Sequence, residues 1–306
     1  MADLFSTLTI AGKVLPNRIV MASSASGFAV ADGFVGTDLV EYYARRARGG
    51  VGLILSEPLL VVPPPADTGE VHLGGYDDDF VPGLCRLVAA VRDRGARVIL
   101  SLAAPLESDA LGGADLLAAR DSFITAAWRA HCAGADGVLI SSADGGLIHA
   151  LVSPARNHRL DAYGGGVAGR LRFALEVVEG VRRWIGPRMI IGFRLAAEEF
   201  VPGGMGLQDA RVIAKRVTSA GVRLLDVTVS ADGSTTLARF PGWAVPLASG
   251  IKRVTPDVPV IGFGLHGDYQ LADSVIRDGS VDLVSVDHTL RDDPDWPRNA
   301  RKALSR

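Results

Sequence analysis

Eight short apolar runs rich in β-branched residues recur along the chain, each separated from the next by enough residues for a helix. They are Arg18–Ala22, Val51–Leu55, Arg97–Leu102, Gly137–Ser141, Met189–Arg194, Leu224–Val229, Val258–Phe263 and Val281–Val286. Continuous rather than alternating hydrophobicity marks strands buried on both faces, as in parallel sheets. Amphipathic patterns fill the intervals, among them Asp79–Arg94, Arg170–Trp184, Leu207–Ala220 and Tyr269–Asp278. Eight repeats of strand and helix predict closure into a single (β/α)8 TIM barrel. Its catalytic groups then stand where strands end, on the C-terminal rim. A length of 306 residues suits one such domain, 1–306, and no linker or low-complexity tract divides it.

A net charge of −2 and a pI near 6.3 point away from nucleic acid or an anionic membrane surface as partners. Arg45, Arg46 and Arg48 fall on a helical pattern with Leu39, Tyr42, Tyr43 and Ala47, which predicts a solvated helix face. Cys85 and Cys132 lie in helical stretches without metal or redox spacing, and are expected to be buried thiols in a reducing cytosol. The N-terminal stretch has no basic segment followed by an apolar run, and no apolar stretch reaches spanning length. A cytoplasmic protein is expected, and its oligomeric state is left open.

The stretch from Gly137 to Tyr163, GVLISSADGGLIHALVSPARNHRLDAY, is the most specific in the chain. Its Gly137, Val138, Ala143, Gly145, Leu147, Ser153, Pro154, Asn157, Arg159, Asp161 and Tyr163, followed by Gly164 and Gly165, resemble the old yellow enzyme family. These are FMN-dependent ene reductases. The likeness extends to Leu15–Ala22, Tyr42–Ala47, Gly50–Ile54, Ser56-Glu57, Asn157–Phe173 and Asp282–Asp295. It thus covers nearly the whole chain and implies the same barrel.

What the resemblance implies for the rim differs from position to position. Ser141 and Asp144 stand where the family grips the substrate carbonyl with His and with His or Asn, and Gly146 replaces the following aromatic. Ala22-Ser23-Ser24-Ala25 replaces a flavin-touching loop, and Ser101 the Gln at the flavin edge. The Trp-His-x-Gly-Arg loop is reduced to Ala103-Ala104-Pro105. Arg194 keeps the family's arginine, and Gly264-Leu265 occupies the phosphate-approaching turn. Asp287-His288 replaces the Gly-Arg that clamps the phosphate.

That last replacement carries the largest energetic weight. Removing a charge-assisted arginine bond costs about 1.5–3 kcal/mol. A carboxylate about 5 Å from a phosphate adds roughly 3 kcal/mol at an effective dielectric of 20. The sum approaches ~6 kcal/mol, about four orders of magnitude in affinity. The expectation is that no cofactor is used, with FMN as the alternative.

Plainer readings stand beside these. Ser101 and Ser141 suit satisfied small polar groups, and no His-Asp order supports a triad. Asp144 suits an N-cap of a helix over Gly145–Val152 as well as a catalyst. Arg194 could hold an internal carboxylate such as Glu57, His149 suits a structural role, and Asp226 suits an internal ion pair.

The leading expectation is a redox-neutral isomerase, cyclase, dehydratase or lyase acting on a hydrophobic carbonyl-bearing small molecule. Asp144 would be general base or acid beside Ser141, Asp287 and His288 a proton-transfer pair, and Arg194 an oxyanion or carboxylate anchor. Ser24, Ser101, Glu57 and His149 would line the substrate site, and no metal is expected. The shortened connection after the third strand would leave room for a larger ligand. The alternative is an FMN-dependent NAD(P)H oxidoreductase with an altered pocket, in which Ala22, Ser24, Ser101, Arg194, Gly264, Asp287 and His288 hold the flavin. A non-catalytic ligand-binding protein is the third reading.

Overall fold

Each of the eight apolar runs becomes a strand of one closed parallel barrel in the computed structural model, which describes residues 2–30, 32–64, 72–105, 111–230, 236–286 and 288–305. The strands are β1 (Ile19–Met21), β2 (Leu53–Leu60), β3 (Arg97–Ala103), β4 (Gly137–Ser142), β5 (Ile190–Ala196), β6 (Leu224–Thr228), β7 (Val260–Gly262) and β8 (Leu283–Ser285). Each pairs in parallel with the next, and β8 returns to β1 to close the sheet. A closed sheet has no unpaired edge to protect.

The main outer helices are α1 (Thr37–Gly49), α2 (Val81–Arg92), α3 (Gly113–Cys132), α4 (Arg172–Ile185), α5 (Leu207–Ala220), α6 (Val245–Lys252), α7 (Tyr269–Arg277) and α8 (Trp296–Leu304). In α4, Phe173, Ala174, Val177, Val178, Val181 and Ile185 are buried, the spacing of one helical face against a sheet. Local signals end several helices where they should. Asp268 Oδ1 accepts the Leu271 N–H at 2.9 Å to cap α7. Gly50, at φ 102°, terminates α1 in the left-handed conformation.

Strand alternation divides the core in two. Val20, Leu53, Leu55, Ile99, Leu139, Ile190, Leu224, Ile261 and Leu283 point inward and fill the barrel. An N-terminal hairpin, Leu8–Ile10 with Lys13–Leu15, closes the bottom by adding Ile10 and Leu15 to that cluster. The larger apolar cluster lies between strands and helices.

Two sequence expectations need correction. Arg46 is buried rather than solvated: its guanidinium lies 3.5 Å from the Tyr42 ring centroid and donates to the Tyr42 and Arg291 carbonyls. The stem and planar head are covered by neighbouring rings and backbone. Cys132 is exposed at the end of α3, and Cys85 is half-buried, so neither is a core thiol. No helix among the described residues is long and apolar enough to cross a membrane.

Candidate functional site

Period-two alternation turns the aliphatic barrel filling into a polar floor at the C-terminal mouth. Two residues beyond Ile99, Leu139, Leu224 and Leu283, on the same inward face, come Ser101, Ser141, Asp226 and Ser285. Arg194 follows Ile190 by one further period. Ser141, Arg194 and Asp226 lie in register on adjacent strands.

Arg194 is fixed from two sides. Its Nε donates to Asp226 Oδ2 at 2.7 Å and its Nη1 to the Ser23 carbonyl at 3.0 Å. Asp226, expected as an internal ion pair, is one, and Arg194 takes this carboxylate rather than Glu57. Glu57 is buried beneath the loop after β1 and accepts the Ser26 N–H at 3.1 Å. Burial pushes its carboxyl above the ordinary range, only partly opposed by the Ser26 hydrogen bonds and nearby His72. Ser101 donates its N–H to Ser56 Oγ at 3.0 Å, while its own hydroxyl is buried without a partner among the described residues.

Above β5 to β8 opens a cavity of about 600 Å³, in the range of small-molecule and cofactor sites. Arg194 and Asp226 sit at one side, and Trp243 and Phe263 form an aromatic wall, edge to face at 5.4 Å. At the far side runs the turn after β7, where Gly264, His266 and Gly267 take φ of 79°, 50° and 75°. A Cβ on Gly264 would meet Trp243 Nε1 at 2.8 Å, and one on Gly267 would meet Thr289 Oγ1 at 2.7 Å. Glycine is needed at both places for conformation and for space. Turns that pass between the right- and left-handed regions can aim successive backbone N–H groups at an anion.

Of the residues singled out in the sequence, Ala22, Arg194, Gly264 and His288 come together in this cavity. Ser101 and Ser141 belong to the mouth but lie outside its lining. Ser24 is exposed on the loop after β1, and Asp287 lies outside the described residues. Asp144 is exposed and caps nothing: the helix Leu147–Val152 begins at Gly146 without a side-chain cap. Gly145 N–H donates instead to His149 Nδ1 at 3.0 Å.

His149 is wholly buried and faces Glu199 rather than the cavity, with Nε2 2.8 Å from Oε1. Because Nδ1 accepts from Gly145, the network assigns the ring proton to Nε2. Glu199 also accepts from Ser153 Oγ at 2.9 Å and Met205 N–H at 2.6 Å. Burial raises its carboxyl, but the bonds from His149, Met205 and Ser153 outweigh that and hold it below the ordinary range.

Sequence reasoning missed Trp243, His266, Thr289 and Glu199. The glycine-flanked run Gly262–Gly267 after the seventh strand was the available signal for His266. Trp243 and Glu199 lie in connections whose placement only closure of the barrel sets.

The chain is similar to known proteins over nearly its whole length. The model of the NADH:flavin oxidoreductase / NADH oxidase family matches residues 3–111 and 105–306. An NADPH dehydrogenase of Geobacillus thermodenitrificans is 34% identical over 325 residues, covering 98% of this chain and 94% of that protein. An NADH oxidase of Thermoanaerobacter brockii is 34% identical over 331 residues, and there the chain spans 51% of the relative's length. Among solved structures, a 2-naphthoyl-CoA reductase complex superposes with a TM-score of 0.91 at 21% identity, over 98% of this chain and 52% of that one. The old yellow enzyme homologue of Zymomonas mobilis gives 0.79 at 22% identity, over 98% and 93%. These two likenesses concern the fold.

The family match overturns the expectation that no cofactor is used, since the matched family is one of flavin oxidoreductases. Folding brings His266 and Thr289 to the cavity beside His288, groups that a two-position motif does not contain. The residues present fit a flavin nucleotide. The unpartnered Ser101 hydroxyl and Arg194 suit a polar ring edge, and the left-handed turn with His266, His288 and Thr289 suits a phosphate.

Proposed function

Because the chain belongs to the NADH:flavin oxidoreductase / NADH oxidase family, we propose that it is an FMN-dependent NAD(P)H oxidoreductase with an altered substrate pocket. The observation that carries this reading is a single cavity lined by both Arg194 and the left-handed turn at Gly264–Gly267. One contributes a guanidinium held in place by Asp226, the other a turn with three positive-φ residues whose backbone N–H groups would meet an anion. Arg194 and the Ser101 hydroxyl would hold the ring system, and the turn with His266, His288 and Thr289 the phosphate. When bound, the cofactor supplies hydride transfer between NAD(P)H and a second substrate.

The protein's own groups set which second substrate is taken. Ser141 Oγ accepts from Ala143 N–H at 3.4 Å, which leaves its O–H to donate to a substrate oxygen. Asp144, the second family position for gripping a carbonyl, is exposed outside the cavity lining and offers no donor there. A carbonyl gripped by two strong donors is therefore disfavoured. A more hydrophobic substrate oriented by the Trp243–Phe263 wall and one hydroxyl suits the pocket better.

The test is a visible spectrum of the purified protein, followed by FMN titration and NADH or NADPH oxidation. Flavin absorption bands, or saturable quenching of added FMN with NAD(P)H consumption, are expected. A colourless protein that neither quenches FMN nor oxidises NAD(P)H in its presence overturns the proposal.

A further inference from the structure

At the opposite end of the barrel from the mouth, beside the N-terminal hairpin, lies a second hollow of about 420 Å³. Its walls come from the segments that enter β1, β2 and β3, at Pro16-Asn17, Gly50-Val51 and Arg94-Gly95, and from one face of α8. The backbone there is fixed by its own contacts. Asn17, buried, donates Nδ2 to the Gly50 carbonyl at 2.8 Å and accepts the Ile19 N–H at 3.0 Å. Gly49 packs so closely on the segment before α8 that a Cβ would meet the Pro294 carbonyl oxygen at 1.8 Å. Phe5, Pro16, Ala47, Val51 and Pro297 supply an apolar floor.

The charged lining is of one sign. Arg94, Arg298, Arg301 and Lys302 line the hollow, and no carboxylate does among the described residues. Arg298 is matched by Asp295 at 3.1 Å. Arg94 donates to the Ala90 carbonyl, and the Arg301 guanidinium lies 4.2 Å from the Phe5 ring centroid. Arg94, Arg301 and Lys302 form no ion pair among the described residues. Each cation has a reason at its own helix end, since positive groups offset the carbonyl ends of α2 and α8. That rule does not account for their convergence on one hollow in a chain of net charge −2. Unmatched cations that share a hollow repel one another, and an anion between them removes that repulsion.

We infer that this hollow is a nucleotide site, separate from the mouth, in which Arg94 and Lys302 hold phosphate from two elements and the apolar floor takes a flat base. A guanidinium fits paired phosphate oxygens, and an ammonium adds a point charge. Phosphate alone would leave the floor uncovered, and an uncharged ring would leave the cations unmatched. The volume lies within the range of small-molecule sites. None of these groups lines the flavin cavity, so the inference stands or falls apart from the flavin reading.

Isothermal titration calorimetry of the full chain with ADP, adenosine and pyrophosphate, FMN present throughout, separates the two features. ADP is expected to bind saturably, about tenfold or more tighter than either fragment. Arg94→Ser and Lys302→Ser should each weaken ADP about tenfold, the scale of one charge-assisted bond. Lys302→Arg should keep the parental affinity. Both side chains are exposed, so the serine variants should unfold thermally at the parental midpoint. No binding of ADP up to about 1 mM overturns the inference, as does adenosine or pyrophosphate binding as tightly as ADP. ADP affinity unchanged in both serine variants also overturns it, because the nucleotide then sits elsewhere.

Discussion

Arg194 and Asp226 face each other in register on β5 and β6, with Arg194 Nε donating to Asp226 Oδ2 at 2.7 Å. Asp226 is 4% exposed and Arg194 14%, so the pair is largely withdrawn from water at the floor of the cavity. Its value is positional: the guanidinium is held over the mouth before any ligand arrives. Removing one partner leaves the other charge in a poorly solvated place.

Asp226→Asn keeps an acceptor but removes the charge, and should destabilise the fold by about 1.5–3 kcal/mol. Asp226→Ala should cost about 3–5 kcal/mol. Urea denaturation measures both. Two variants as stable as the parent would show that the pair contributes nothing to folding.

Ser101 offers a test that separates folding from binding. Its buried hydroxyl has no partner among the described residues, a liability in flavin-free protein, so Ser101→Ala should stabilise the apoprotein by ~1 kcal/mol. If the hydroxyl serves the flavin ring, the same change should raise the FMN dissociation constant about fivefold. A destabilised variant with parental FMN affinity would contradict both halves.

Glu199 should make the loop after β5 acid-sensitive. Its folded carboxyl is held below the ordinary range by its donors, so the stabilisation is full above about pH 4.3, the unfolded value. It drains away as pH falls through the lowered folded value. Glu199→Gln should cost about 2–3 kcal/mol at neutral pH, with the difference from the parent shrinking in acid. Denaturation curves at pH 7 and in acid decide, and a pH-independent difference would count against the carboxylate's role.

Glu57 should show the opposite sign. Burial raises its folded carboxyl above the unfolded value, so the folded state favours the proton. The parent loses stability as pH rises through the interval between those two values. Glu57→Gln, which can still accept the Ser26 N–H, should therefore gain on the parent between acid and neutral pH. The two stabilities moving in parallel would sink the prediction.

The barrel was legible in the sequence because its signals are local. A buried parallel strand is a run of apolar β-branched residues, and eight runs spaced by helix lengths admit few other arrangements. The same periodicity located Ser101, Ser141 and Arg194 at strand ends and made Asp226 an internal partner. Family letters placed Gly264 and His288 at the mouth. Position along a strand fixes which face a side chain takes, and that much is one-dimensional.

Which rim residues meet was decided only by closure. Arg194 could pair with Glu57 or Asp226 on sequence alone; strand register brings Asp226 within 2.7 Å. Asp144 sits at a family substrate position, yet Gly145 turns its N–H to His149 and leaves Asp144 in solvent. His149 finds Glu199 fifty residues away. Trp243 meets the Gly264 turn across the β6–α6 connection, and His266 enters the cavity through a left-handed backbone that no side-chain pattern announces. Hydrophobic periodicity records whether a residue is inside, because burial depends on its own chemistry and its neighbours in the chain. It does not record partners, because hydrogen bonds and ion pairs depend on separations of a few ångströms between segments that only the closed barrel fixes.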